Sequence, residues 1–143
     1  MSDLALRPSP LRLLRSVGAV IAGFAVVVVL STATDAVLHA AKIYPPPQEG
    51  LHDPLLNLLA LSYRCVFTLA GGWVTARLAP NTPLRHAFVL GLVGTAAGTA
   101  GVIATWNLGL GPHWYPIALA VTGLPLCWLG GLLAVRGRAA PIG

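Results

Sequence analysis

Acidic residues are scarce in this sequence, four in 143, and charged residues of either sign make up only 9%. A soluble domain carries about 25% charged residues, so the usual water-facing surface is missing. Hydrophobic residues reach 56%, more than a soluble core of this size can bury, because small domains leave much of their surface exposed. Cysteine is equally sparse. Cys65 and Cys127 both lie in apolar runs, which excludes a secreted disulfide framework and reads as packing by small hydrophobes. The nine Lys and Arg residues never cluster with aromatics, which argues against a nucleic-acid-binding face. Catalytic signatures are missing too: there is no HExxH, no GxSxG, no phosphate-cradling glycine loop and no carboxylate pair inside an apolar run. No two histidines fall mid-run on different segments, as haem ligation from facing helices would require. No cofactor is expected.

What the chain does contain is four long apolar runs. A spanning helix needs about 20 mainly apolar residues, and runs at 16–38, 55–77, 86–108 and 114–136 meet that length within one domain covering residues 1–143. Proline and glycine punctuate the gaps, at Tyr44-Pro45-Pro46-Pro47, Ala79-Pro80-Asn81-Thr82-Pro83 and Gly109-Leu110-Gly111-Pro112. Such short connections predict antiparallel neighbours, hence an all-α four-transmembrane-helix bundle. Reading the first run as a cleaved signal peptide is the rival, but a signal peptide's apolar region is about 7–15 residues and this one is longer.

Basic residues assign a direction to these spans. Arg7, Arg12, Arg15, Arg77, Arg85, Arg136 and Arg138 all fall on one side of a four-span chain, and only Lys42 falls on the other. Positive loops stay inside, so both termini are expected in the cytoplasm and the lipid bilayer is the first partner. Tyr44, Trp114 and Tyr115 then lie at the outer interface, where amphipathic rings are favoured.

Two stripes are expected to pack. Gly91, Gly94, Gly98 and Gly101, followed by Thr105, recur at spacings of 3 and 4 and share one helical face. Gly94 and Gly98 form a GxxxG pair that lets backbones approach closely, either inside the bundle or across a homo-oligomer. In the second span Asn57, Ala60, Arg64, Thr68, Gly71 and Thr75 form a polar and small face that should point inward. Pro125 interrupts the hydrogen bonding of the fourth span, where a kink is expected. A candidate duplication runs through the chain. The stretches 71–77 and 130–136 both open on paired glycines and close on an arginine, and Thr34, Tyr44 and Pro45 recur 71 residues later as Thr105, Tyr115 and Pro116. The halves would be two parallel helical-hairpin repeats.

Arg64 is the one charge deep in a span, at a cost of at least about 2.5–3.5 kcal/mol unless it is paired or hydrated. The acid within reach is Asp35, near the outer end of span one, so an intramembrane Asp35–Arg64 ion pair is expected. It either sets helix register or forms a binding or proton-handling site. Asp35 and His39 share a face, and His39 and His113 are weak metal candidates. Their spacing matches no zinc signature, and no metal is assigned.

Tyr63-Arg64, the 71–80 stretch, Arg85-His86-Ala87 and Trp114-Tyr115-Pro116 together resemble small uncharacterised four-helix inner-membrane proteins of bacteria. The resemblance spans nearly the whole chain. It implies a cell inner-membrane location and carries over no activity and no site residue. The leading functional expectation is an interaction or scaffold subunit, associating with itself or a larger membrane complex through glycine-rich faces. The alternative is a small oligomeric transporter or channel using Arg64 and Asp35, and an enzyme ranks third.

Overall fold

The computed structural model describes residues 7–139; residues 1–6 and 140–143 lie outside that description. The chain is all-α: α1 (Pro10–Ala40), α2 (Pro54–Leu78), α3 (Pro83–Thr105) and α4 (Trp114–Ala139), with a 3-10 turn at Pro47–Glu49. Each α-helix is long and apolar enough to cross a membrane. α1, with 31 residues, is about 46 Å long at 1.5 Å per residue, longer than the about 30 Å hydrocarbon thickness of a bilayer. α3 starts at Pro83, earlier than the apolar run suggests, because proline is well suited to the first helical turn, where its missing N–H is no loss.

Local chemistry explains the other boundaries. Ser9 and Asp53 cap α1 and α2; Asp53 accepts from the Leu55 and Leu56 amides at 2.7 and 3.2 Å. At the end of α1, Lys42 adopts a left-handed conformation (φ 57°) that turns the chain back. The amides of Ile43 and Tyr44 then both reach the Leu38 carbonyl, at 3.0 and 3.2 Å. α4 continues through Pro125 as one helix.

Helix α2 is central: it packs against all three other helices, whereas α1 and α4 do not approach each other. Glycine makes the closeness of these contacts feasible. A Cβ at Gly72 would lie 2.1 Å from the Cys127 carbonyl oxygen, and one at Gly130 would lie 2.1 Å from that of Leu69. No side chain fits either place. α1 crosses α2 in the same manner at Gly23 and Gly71, beside a hydrogen bond from Thr75 Oγ1 to the Ala19 carbonyl at 3.2 Å. The inward stripe of α2 holds throughout, with none of its six residues exposed.

The α3 stripe, in contrast, divides. Gly91 and Gly98 lie against Leu124 and Ala120 of α4, whereas a Cβ at Gly94 or Gly101 would meet nothing within 4 Å. At 100° per residue Gly94 and Gly101 are rotated about 60° from Gly91 and Gly98, and α4 covers only one side. Both cysteines are free; Cys127 is buried in the α2–α4 seam.

The two ends of the bundle differ. One end holds the α1–α2 and α3–α4 loops, stitched together by the Leu51 amide donating to the Leu110 carbonyl at 2.7 Å. Buried Asn57 secures that loop by donating to the Leu51 and Asp53 carbonyls at 2.8 and 2.9 Å. The opposite end collects Arg12, Arg15, Arg77, Arg85, Arg136 and Arg138. We call them the stitched end and the basic end.

Candidate functional site

Beneath the stitched loops lies a cavity of about 230 Å³, lined by Asp35 and His39 of α1, Tyr44 and the prolines after it, Arg64 of α2, and Tyr115 of α4. Three features of the chain assemble it. The i, i+4 spacing sets Asp35 and His39 on one face of α1. The inward face of α2 carries Arg64, a turn below buried Ala60. The reversal at Lys42 folds Tyr44 back over the opening, where its side chain is buried.

The polar groups form one connected chain. Arg64 Nη2 donates to Asp35 Oδ2, and the Tyr63 hydroxyl donates to Asp35 Oδ1. That leaves the Tyr63 oxygen to accept from the Tyr44 hydroxyl at 3.2 Å. The His39 ring meets the Tyr44 ring edge-on at 5.4 Å. Asp35 therefore has both oxygens engaged, and Arg64 has its charge balanced; about 30% of each side chain stays exposed. Arg64 Nε and His39 Nδ1 are buried with no hydrogen-bond partner in the protein. Buried polar atoms normally find partners, and both side chains line the cavity.

No match emerges from comparison with protein families, curated proteins or solved structures.

Of the residues singled out in the sequence, the structure brings Asp35, Arg64 and His39 to this cavity and leaves His113 apart. His113 stacks on Trp106 with ring centroids 4.1 Å apart and donates from Nε2 to the Trp106 carbonyl at 2.9 Å. Among the described residues no three His, Cys, Asp or Glu side chains converge as metal ligands would. Glu49 lies in the 3-10 turn, and Asp53 is committed to capping α2. Sequence reasoning did not assign Tyr63 and Tyr44 to the site. For Tyr63 a signal was present, a phenol adjacent to the one arginine deep in an apolar run. For Tyr44 there was none, since its place depends on the turn at Lys42.

Proposed function

We infer that this chain is a multi-pass inner-membrane protein with both termini in the cytoplasm, serving as an interaction subunit that associates with a second copy or a larger membrane complex. The seven-to-one bias of arginine and lysine between the two ends of the spans supports the orientation. The observation carrying the interaction role is the free half of the α3 stripe, where positions Gly94 and Gly101 meet open space. Glycine costs a helix about 1 kcal/mol relative to alanine. Close packing on α4 offsets that cost at Gly91 and Gly98, whereas no atom lies within 4 Å of an added Cβ at Gly94 or Gly101. A neighbouring helix approaching this smooth face would offset it there. Replacing both Gly94 and Gly101 with Leu should abolish co-purification with a partner or a second copy while leaving the bundle folded. A native-membrane preparation that is monomeric and partnerless sinks the reading.

A duplicated architecture of two parallel hairpins, α1–α2 and α3–α4, finds support in the reciprocity of the seam. Gly72 abuts Cys127, three residues before Gly130, and Gly130 abuts Leu69, three residues before Gly72. This equivalence is one residue away from the sequence pairing of Gly71 with Gly130.

A second reading, a small transporter or channel around Arg64 and Asp35, is favoured by the cavity that these two residues line together with His39. It requires that reconstituted protein move a solute and lose that movement in Arg64→Gln. The closed α2–α4 seam below the cavity weighs toward binding without passage.

A further inference from the structure

The arginines at the basic end occupy two electrostatically opposite settings. Arg77, Arg136 and Arg138 lie in the last turns of α2 and α4. A helix C-terminus carries partial negative charge, so cations are stabilised there. Arg138 Nη2 donates to the Arg77 carbonyl at 2.6 Å, and the Arg77 guanidinium lies over the Trp73 ring at 4.8 Å. Arg12 and Arg85 are placed the other way round. They fall in the first turns of α1 and α3, where the helix end is itself positive, and neither first turn contains an acidic residue. The three carboxylates among the described residues, Asp35, Glu49 and Asp53, are all at the stitched end. The side chain of Thr82 makes no capping bond at the start of α3.

Arg12 and Arg85 share the mouth of one groove. It measures about 580 Å³ and runs between α1 and α3 at the basic end, with Ser16, Asn81 and His86 at the same level. Below that mouth its walls are apolar, formed by Val17, Val20, Ile21 and Val89. The groove exists because α1 meets α3 only slightly, while its main contact is with α2. Two cations at two helix N-termini above an apolar slot call for an anion with a hydrocarbon tail.

We propose that the groove between α1 and α3 is a binding site for an anionic phospholipid, its phosphate held between Arg12 and Arg85 and one acyl chain laid along Val17, Val20, Ile21 and Val89. The charge of the headgroup answers both the arginines and the uncapped start of α3. The position fits as well: Arg12 lies five residues before Val17, or about 7 Å along the axis, which sets it near headgroup depth when Val17 begins the hydrocarbon crossing. The site is independent of the glycine face of α3 and of the cavity around Arg64.

Native mass spectrometry of the full-length protein in mild detergent tests this. Three probes are titrated: phosphatidylglycerol, phosphatidylcholine with the same acyl chains, and glycerol phosphate as the tail-less headgroup. Phosphatidylglycerol should be retained at least tenfold better than either of the others. Arg12→Gln with Arg85→Gln should remove most of that preference, and Arg136→Gln with Arg138→Gln should leave it intact. Ile21→Trp keeps both arginines and fills the slot from an exposed position, so it should displace the lipid too. Equal loss from both arginine pairs would reduce the effect to diffuse surface charge and overturn the site. Equal retention of phosphatidylcholine, competition by glycerol phosphate, or a dimer that excludes lipid would each overturn it as well. Should the Arg12/Arg85 variant fail to fold, retention of lipid by Ile21→Trp is sufficient to reject the proposal.

Discussion

Gly130 and Gly101 lie on neighbouring helices of one bundle, α4 and α3, and have opposite surroundings. At Gly130 an added Cβ would lie 2.1 Å from a backbone oxygen; at Gly101 it would meet nothing within 4 Å. The same contrast separates the close α1–α2 and α2–α4 crossings from the free face of α3. In lipid no hydrophobic force drives helices together, so association depends on close backbone packing and on polar pairs. The interior has both, in its glycine crossings and in the Asp35–Arg64–Tyr63 cluster. The free face has only smoothness: an added Cβ at Gly94 or Gly101 has no neighbour within 4 Å, and Gly101 lines a cleft with Asn57, Tyr115 and Leu119.

The largest expected effect is at the seam. Gly72→Leu or Gly130→Leu would drive a side chain into backbone and should cost about 3 kcal/mol or more, at the upper end for overpacking. Unfolding in a denaturing detergent titration would measure it. Tolerance of leucine there would mean that the seam is looser than drawn. Next comes the ion pair. Asp35→Asn strands a cation and should cost about 2 kcal/mol, below the roughly 3–5 kcal/mol of a fully buried pair because 30% of the Arg64 side chain and 27% of that of Asp35 remain exposed. Adding Arg64→Gln should cost less than the sum of the two single losses; strict additivity would count against coupling.

Asn57→Ala should cost about 1–2 kcal/mol, since it deletes two hydrogen bonds from a buried amide. Faster hydrogen exchange at the Leu51 amide would report the loosened roof. The smallest effect belongs to Gly94→Leu, neutral to stabilising by up to about 1 kcal/mol for the isolated bundle, because the helix regains the propensity that glycine forgoes in open space. A loss in the monomer would mean that α3 is not free on that side, erasing the contrast between the two regions.

Much of this architecture is legible without coordinates. A chain with 9% charge and four runs of spanning length is compatible with little else than four apolar helices, and the loop prolines and glycines mark where they break. The inward stripe of α2 is legible for the same reason, since a polar face on a spanning helix has nowhere else to go. The fates of the α3 glycines are not. Gly91, Gly94, Gly98 and Gly101 satisfy one periodicity, yet which pair is covered depends on where α4 lies, a property of helix crossing and not of spacing. Arg64 likewise signals in sequence that it needs a partner. That Tyr63 shares Asp35 with it, and that Tyr44 closes over both, requires the chain reversal at Lys42 and the stitching of two loops far apart in sequence. Periodicity acts within a helix, whereas the cavity and the free face arise between helices, where only three-dimensional packing chooses the neighbour.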